Sequence, residues 1–224
     1  MSAAFQRTGR AGLLLALLAF GPAGADAPDA YVQALRQFWG AVYGAGGTEI
    51  YCGDRFDRET GRGLNVEHVY PMSWVGTELR CGSRDQCRER SDAFVRIETD
   101  MHNMFPARPE LNSARGSLPF SEIDGEDRRF GACDFEKDDR SRRVEPRPAA
   151  RGEIARAMFY MQQTYGLPIY PRQGETLLRW HRADPPDEAE RRRNEAIARL
   201  QGGRNPFIDN PAQADRLRFE APRR

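Results

Sequence analysis

The sequence predicts an α+β protein with irregular connections, exported and held together by disulfides. Three observations lead to this class: several segments space their apolar residues as a helix does, strand patterns are few and non-consecutive, and four cysteines follow an N-terminal leader. A mean hydropathy of -0.73 excludes a protein with several membrane spans, and 39% hydrophobic residues are too many for a disordered chain. A length of 224 residues is typical of one compact domain.

The first 25 residues have the composition of a signal peptide. Two arginines precede the apolar run 11–20, and the tripeptide Ala23-Gly24-Ala25 resembles a cleavage site. This run has about half the length that a membrane span needs. An uncleaved anchoring helix is the alternative. We expect residues 1–25 to be removed and residues 26–224 to form a single domain, free of the membrane, in the periplasm or the medium.

The apolar patterns of the mature chain define its elements. Helical spacing predicts helices over 29–43, about 110–116, 149–165, 174–182 and 187–201. Short apolar stretches broken by turns predict strands over 49–51 and 64–70. The polar, cysteine-bracketed segment 80–92 predicts a surface loop, residues 93–104 fit no single pattern, and residues 120–147 are a polar stretch with turns.

The cysteines predict two disulfides, because an exported chain meets an oxidising compartment. Four cysteines allow three pairings. Cys81 and Cys87 close a short loop and are the natural local pair, which leaves Cys52 to pair with Cys133. That second bridge closes a loop of about 80 residues and stabilises the fold by about 4 kcal/mol in the chain-entropy model. A structural zinc site is the alternative, but the sequence has no C-x-x-C pair.

The charge of the chain restricts how it can attract a polyanion. Without residues 1–25, which hold two arginines and no acid, it carries 32 basic and 33 acidic residues. Any affinity for nucleic acid must therefore come from a local basic patch. Lys137 is the only lysine, and the arginines can contact phosphate through two N–H groups at once, which lysine cannot.

The candidate chemistry centres on the scarce histidines, which are His68, His102 and His181. His68 directly follows Glu67; neighbours on a strand point to opposite faces, but a strand end or a bulge can bring both to one site. The segment 98–115 is dense in carboxylate, amide and basic groups, namely Glu98, Asp100, His102, Asn103, Glu110, Asn112 and Arg115. Such hard oxygens suit Mg²⁺ or Ca²⁺, and a histidine beside the ion can activate water against phosphorus. The segment predicts a metal-dependent phosphodiesterase; a solvated, turn-rich segment is the alternative.

These residues resemble the bacterial periplasmic or secreted endonuclease I family of ββα-metal (His-Me finger) nucleases. The blocks that carry the resemblance follow one another from about Phe38 to Ile208. They are Tyr51-Cys52-Gly53, Glu67-His68-Val69 with Pro71, Asp100-Met101-His102-Asn103-Met104 with Pro106, Glu110-Leu111-Asn112 with Arg115, Phe120-Ser121-Glu122, Val144-Glu145-Pro146, Arg151-Gly152 with Ile154-Ala155-Arg156, Tyr160-Met161, Gln201-Gly202 and Asn205-Pro206-Phe207. The resemblance implies a ββα-metal core surrounded by helices.

The resemblance also implies a catalytic centre. His68 matches the family's general base, and Glu67 and Asn112 match the ligands of a single Mg²⁺, for which Ca²⁺ or Mn²⁺ can substitute. The family cuts DNA, and in many members RNA, with little sequence preference, and leaves 5′-phosphates. An unperturbed His68 would lose its base function as the pH falls through about 6.5.

The resemblance and the residue pattern also single out Arg84, Glu98 and Arg115. Arg84 resembles the arginine that contacts the cleaved phosphate, and Glu98 resembles an acidic residue of the catalytic centre. Arg115 is interpreted either as a phosphate contact or as half of a salt bridge at a helix end. We expect a monomer that acts on DNA, with RNA as a further substrate. The alternatives are an exported nucleic-acid-binding protein without cleavage, a disulfide-bonded interaction module, and a nuclease restricted to RNA.

Overall fold

The computed structural model describes residues 27–125 and 129–219. Within these ranges the helices are α1 (Ala27–Gln37), α2 (Met72–Leu79), α3 (Arg84–Arg90), α4 (Asp92–Glu98), α5 (Pro109–Arg115), α6 (Pro148–Tyr165), α7 (Pro171–Ala183), α8 (Glu188–Gln201) and α9 (Pro206–Asp209). The strands are β1 (Gly47–Thr48), β2 (Arg55–Phe56), β3 (Asn65–His68), β4 (Met104–Ala107), β5 (Phe135–Asp138) and β6 (Arg143–Pro146). The predicted α+β class is confirmed. The signal peptide predicted over 1–25 lies outside the described residues.

A two-stranded sheet and one helix form the core around which the site is built. β3 and β4 pair antiparallel, with Asn65 opposite Ala107 and His68 opposite Met104. Only Arg108 separates β4 from α5, which begins with a proline at its first turn and packs against β3. This β-β-α arrangement is the core that the resemblance implies.

The long helix α6 lies in the centre of the main hydrophobic core. Its residues Ile154, Met158 and Phe159 are fully buried among side chains of α2, α4, α7 and the sheets β3–β4 and β5–β6. Pro148 begins the helix and Gly166, in the left-handed region at φ 68°, ends it, as the sequence predicts. A second cluster joins α1, α8 and the segment around β4. Within the described ranges, no helix combines the length and the hydrophobicity that a membrane span requires.

The strand predicted over 49–51 is wrong, because these residues form a turn. The carboxylate of Glu49 is fully buried and accepts hydrogen bonds from the backbone N–H groups of Tyr51 at 3.1 Å and Gly53 at 2.7 Å. It also accepts one from Cys52. A side chain that binds its own following amides removes the donors that a neighbouring strand would need. The nearby strands β1 and β2 are only two residues each.

The surface loop predicted over 80–92 is also wrong, because α3 lies within it. Ser83 accepts from the backbone N–H of Gln86, and the Gln86 side chain accepts from the backbone N–H of Ser83. This capping box begins a helix whose polar composition conceals it. Residues 93–104, which fit no pattern, hold most of α4, a 3-10 turn over Met101–Asn103 and the first residue of β4.

The two predicted disulfides are confirmed. Cys52 and Cys133 are joined across 81 residues, and Cys81 and Cys87 across 6. The first bridge ties the turn after β1 to the segment before β5, and the second holds the start of α3 against the end of α2. No cysteine of the described ranges is free, so a zinc site has no thiolate to use there.

Candidate active site

A groove of about 610 Å³ opens at the end of β3, between α2, α3 and α5. Four of the predicted residues line it: Glu67, His68, Arg84 and Asn112. Glu67 and His68 are neighbours on a strand, yet both reach the groove, because β3 ends at His68. The other two predicted residues, Glu98 and Arg115, are buried against the first four and do not line the groove. The structure therefore gathers all six around one place.

The imidazole of His68 is held in one orientation by a backbone carbonyl. Its Nε2 lies 2.9 Å from the carbonyl oxygen of Glu98, which can only accept a hydrogen bond. Nε2 must therefore carry the proton, and in the neutral ring Nδ1 keeps a free lone pair. The side chain is nearly buried, and this burial lowers the pKa of the imidazole to about 4. His68 is thus neutral at physiological pH and has one nitrogen free to accept a proton.

Glu67 is a buried carboxylate with one oxygen already engaged. Its Oε1 accepts from the hydroxyl of Tyr51 at 2.9 Å and from the guanidinium of Arg115 at 2.6 Å. Burial raises the pKa of Glu67 to about 7, against the positive charge of Arg115, which lowers it. No hydrogen bond within the described ranges is assigned to Oε2, so this oxygen remains for a ligand in the groove.

Asn112 has its amide oriented by two acceptors. Its Nδ2 donates to Asn65 Oδ1 at 2.9 Å and to the carbonyl oxygen of Val66 at 3.0 Å. Both N–H bonds of the amide are used, which assigns the amide nitrogen to that side and turns Oδ1 away from these partners. Together with Glu67 Oε2, the groove thus has two oxygen donors, one of them a carboxylate. This donor chemistry fits a small hard cation such as Mg²⁺.

Glu98 holds two arginines at the edge of the groove. Its side chain has no exposed surface and accepts from Arg84 Nε at 2.5 Å and from Arg88 Nε and Nη2, each at 2.8 Å. Two positive charges therefore face one negative charge. The side chain of Arg84 is 45% exposed, so part of its guanidinium remains accessible to an anion. The disulfide between Cys81 and Cys87 brackets Arg84 and fixes the first turn of α3.

Arg115 lies beneath the site and is only 1% exposed. Besides Glu67, it donates to the carbonyl oxygens of His68 at 3.0 Å and Val69 at 2.5 Å. Its guanidinium lies 4.5 Å from the ring centroid of Phe120. These contacts occupy one face and two nitrogens of the guanidinium, and they tie α5 to the end of β3.

Sequence reasoning did not single out Tyr31, Arg88 or Tyr51. Tyr31, on α1, stacks on His68 with ring centroids 6.2 Å apart. The guanidinium carbons of Arg84 and Arg88 lie 5.4 and 5.0 Å from the centroid of the Tyr31 ring. No local pattern connects Tyr31 with His68, because the contact joins distant segments. Tyr51, in contrast, belongs to a block that carries the family resemblance and could have been chosen from it.

The remaining candidate residues lie elsewhere. His102 Nε2 bonds the carbonyl oxygen of Gly203, and His181 Nε2 bonds that of Pro211, so both rings tie distant segments together. Oxygen and sulfur atoms of Glu49, Cys52 and Asp54 lie within 4.8 Å of one another. The sulfur of Cys52 is in a disulfide, and backbone amides bind the Glu49 carboxylate, so this group has few free donors.

Comparison with known proteins agrees with this geometry. The Endonuclease I family profile matches residues 28–212. An extracellular deoxyribonuclease of Aeromonas hydrophila is 35% identical over 225 residues, which cover 90% of this chain and 97% of the relative. A periplasmic deoxyribonuclease of the same species is 37% identical over 168 residues, covering 72% and 70%. An extracellular ribonuclease of Bacillus subtilis (strain 168) is 34% identical over 137 residues, covering 53% and 46%.

The family match extends over most of the chain and includes both the groove and the β-β-α core. Relatives named extracellular or periplasmic, together with the two disulfides, agree with the predicted export of this protein. The chain belongs to the endonuclease I family.

Proposed function

We propose that this exported endonuclease hydrolyses phosphodiester bonds in DNA, and in RNA as well, with one Mg²⁺ held by Glu67 and Asn112 and with His68 as the general base. The observation that carries the proposal is the shared groove, in which a neutral imidazole with a free nitrogen faces the same space as two oxygen donors. The product would carry a 5′-phosphate and leave a 3′-hydroxyl.

His68 would accept the proton of the attacking water. Its Nε2 is engaged by the Glu98 carbonyl, so Nδ1 is the accepting atom. As the water oxygen bonds to phosphorus, its proton would pass to Nδ1, the bond from phosphorus to the 3′-oxygen would break, and the 3′-oxygen would take a proton from solvent water to become the hydroxyl. Proton transfer to a positioned side chain typically contributes roughly 10²- to 10⁴-fold in rate. The hydrogen bond to the Glu98 carbonyl fixes the orientation of the ring, so the Nδ1 lone pair is in position before the water attacks.

The metal would bind through Glu67 Oε2 and Asn112 Oδ1, with water completing its shell. A bound divalent ion supplies positive charge beside the phosphate and stabilises the leaving oxygen. Glu67 must be deprotonated to act as a ligand, and Arg115 and Tyr51 support that form by bonding Oε1. Ca²⁺ and Mn²⁺ have the same preference for oxygen and would compete for the site.

Arg84 would contact the nonbridging oxygens of the cleaved phosphate. Its partial exposure leaves N–H groups for the substrate, while Glu98 fixes the guanidinium through Nε. In this proposal Glu98 is a positioning residue, since it holds Arg84 by its carboxylate and His68 by its carbonyl. Tyr31 contacts the same group of residues, with its ring against both His68 and Arg84.

We assign Arg115 to the support of the site rather than to the substrate. The side chain is buried and bonds Glu67 and two backbone carbonyls, so it has no exposed donor for a phosphate. Of the two interpretations of its sequence position, the salt bridge is the one that its contacts support.

The proposal explains weak sequence preference. Contacts made by Arg84 and a metal read phosphates, which are the same in every nucleotide, and not base edges. The deoxyribonuclease and ribonuclease names of the relatives support action on both nucleic acids. Activity should fall as salt rises, because phosphate contacts release condensed counterions.

One gel assay tests the proposal. Plasmid DNA and RNA are incubated with the purified mature chain and Mg²⁺, Ca²⁺, Zn²⁺ or EDTA. We expect cleavage of both substrates with Mg²⁺ and none with EDTA. Cleavage that EDTA does not reduce would contradict the proposed dependence on a metal ion. Binding without cleavage under every condition would favour a nucleic-acid-binding protein that has lost catalysis.

A further inference from the structure

A second groove, of about 480 Å³, lies beside the catalytic groove and has a different character. Its apolar walls are formed by Trp39, Tyr43, Phe56 and Leu64, and we call it the aromatic groove. Two arginines, an aspartate and two glycines complete its lining, namely Arg58, Arg62, Asp57, Gly40 and Gly61. The proposed catalytic mechanism uses none of these residues.

The aromatic rings of this groove form a connected, partly exposed platform. The centroids of Trp39 and Phe56 are 6.3 Å apart, edge to face, and those of Tyr43 and Phe56 are 5.9 Å apart. Trp39 and Gly40 lie in the π-helical turn Phe38–Val42 that extends α1. Such turns are rare and occur frequently at functional sites. A Cβ added at Gly40 would meet no atom within 4 Å, so the groove is open at this point.

The charged residues that line this groove are two arginines and one aspartate, a net charge of +1. The side chains of Arg58 and Arg62 are exposed and have no hydrogen bond or ion pair with another residue of the described ranges. The Oδ1 atom of Asp57, in contrast, accepts from the N–H groups of Glu59 and Thr60 and from the Thr60 hydroxyl. Asp57 thus closes its own turn, whereas the two guanidinium groups remain accessible to an anion.

The aromatic groove and the catalytic groove have consecutive residues in their linings. Leu64 lines the aromatic groove, and the next residue, Asn65, lines the catalytic groove and accepts from Asn112. Neighbouring residues of an extended chain are about 3.3 Å apart. The two grooves therefore approach each other at residues 64 and 65, and the proposal below takes the substrate strand across this point.

We propose that the aromatic groove binds an unpaired nucleobase of the substrate strand by stacking on one of its aromatic rings, while Arg58 and Arg62 contact the phosphates beside it. This inference rests on the proposed function, since it extends the path of the same substrate. Stacking accepts any base, because every base has a π-face, so the site adds affinity without sequence preference. It favours single-stranded DNA or RNA over a duplex, whose bases are already stacked on one another.

The first test fills the groove without removing any contact. Gly40→Leu adds a side chain into the open space, and Ala41→Leu adds the same side chain to the next, exposed residue outside the groove. Binding of a labelled 12-nucleotide oligothymidylate and of a duplex of equal length is measured by fluorescence anisotropy in EDTA. We expect Gly40→Leu to weaken single-strand binding about tenfold, the effect of losing one stacked base, and to leave duplex binding nearly unchanged.

A second variant keeps the proposal testable if Gly40→Leu does not fold. Arg58→Ser combined with Arg62→Ser should reduce the salt dependence of single-strand binding by about 1.4 in the log–log slope, about 0.7 for each phosphate contact. The exposed Arg172→Ser is the matched control and should leave the slope unchanged. Unchanged affinity in Gly40→Leu, together with an unchanged slope in the double variant, would overturn the proposal.

Two further outcomes are distinguishable. A change in the sedimentation coefficient of Gly40→Leu alone would show that the groove is an interface between copies of this chain, which overturns the proposal. If the parent protein fails to cleave plasmid with Mg²⁺ but Gly40→Leu still weakens single-strand binding, the proposed function fails while the aromatic groove is supported.

Discussion

The buried pair of Glu67 and Arg115 offers a quantitative test of how the site is built. We predict that Arg115→Met destabilises the protein by about 3–5 kcal/mol at pH 8, the usual cost of removing one partner of a buried ion pair. Both side chains are at most 2% exposed, so solvent cannot replace the lost charge. The substitution also leaves the carbonyl oxygens of His68 and Val69 without their donor. Methionine keeps a similar length against Phe120.

The cost should depend on pH in a defined direction. Burial raises the pKa of Glu67 from 4.5 to about 7 in the folded protein. The stability contributed by this carboxyl group is therefore fully present below pH 4.5 and is lost as the pH rises through about 7. Removing Arg115 takes away the charge that lowers this pKa and raises it further. The cost of Arg115→Met should then be larger at pH 8 than at pH 5, where Glu67 is protonated in both proteins.

Urea denaturation in EDTA at the two pH values measures this effect. In a Glu67→Gln background the cost of Arg115→Met should fall to that of the unpaired carbonyl groups, about 1–3 kcal/mol. Arg179→Met is the control, because Arg179 pairs with Glu122 on the surface and its loss should barely move the midpoint. Equal costs at both pH values and in both backgrounds would refute the assigned pairing.

Three other predictions follow from the same geometry. Asn112→Ala should weaken Mg²⁺ binding at least tenfold in a titration of activity, and a curve that overlays the parent's would remove Asn112 from the metal site. At limiting Mg²⁺, activity should fall as the pH drops through about 7, because protons then compete with the metal for Glu67. At saturating Mg²⁺ the fall should move toward about pH 4, where His68 becomes protonated. A fall near pH 6.5 at every Mg²⁺ concentration would contradict both pKa shifts. Replacing Cys52 and Cys133 by serine should cost about 4 kcal/mol of unfolding free energy, and an unchanged melting temperature would contradict a structural role for that bridge.

Much of the scaffold was predictable because its signals are local. The apolar spacing and the flanking Pro148 and Gly166 define α6 without reference to the rest of the chain. The capping box at Ser83 is also local and could have revealed α3, but the polar, cysteine-bracketed segment has no apolar stripe to indicate a helix. The turn after β1 was mispredicted because the Glu49 carboxylate takes the backbone amides, an effect that apolar patterns do not record.

The residues of the candidate active site could be predicted only from the order of the motifs that contain them. The side chains that pack around these residues could not be predicted from the sequence. Neither the burial that lowers the pKa of His68 nor the stacking of Tyr31 on its ring has a local signal, since both depend on tertiary packing. The same holds for Arg115, which the sequence leaves between a phosphate contact and a salt bridge. Its burial against Glu67 becomes visible only when α5 is packed beneath β3.

Plasmid cleavage by His68→Ala tests the central claim most directly. The account predicts a loss of roughly 10²-fold or more in the initial nicking rate at pH 8 with saturating Mg²⁺. Duplex binding in EDTA and the circular dichroism spectrum should remain those of the parent, and added imidazole should restore part of the rate by serving as a soluble base. Nicking within a few-fold of the parent rate would show that the proton of the attacking water goes elsewhere.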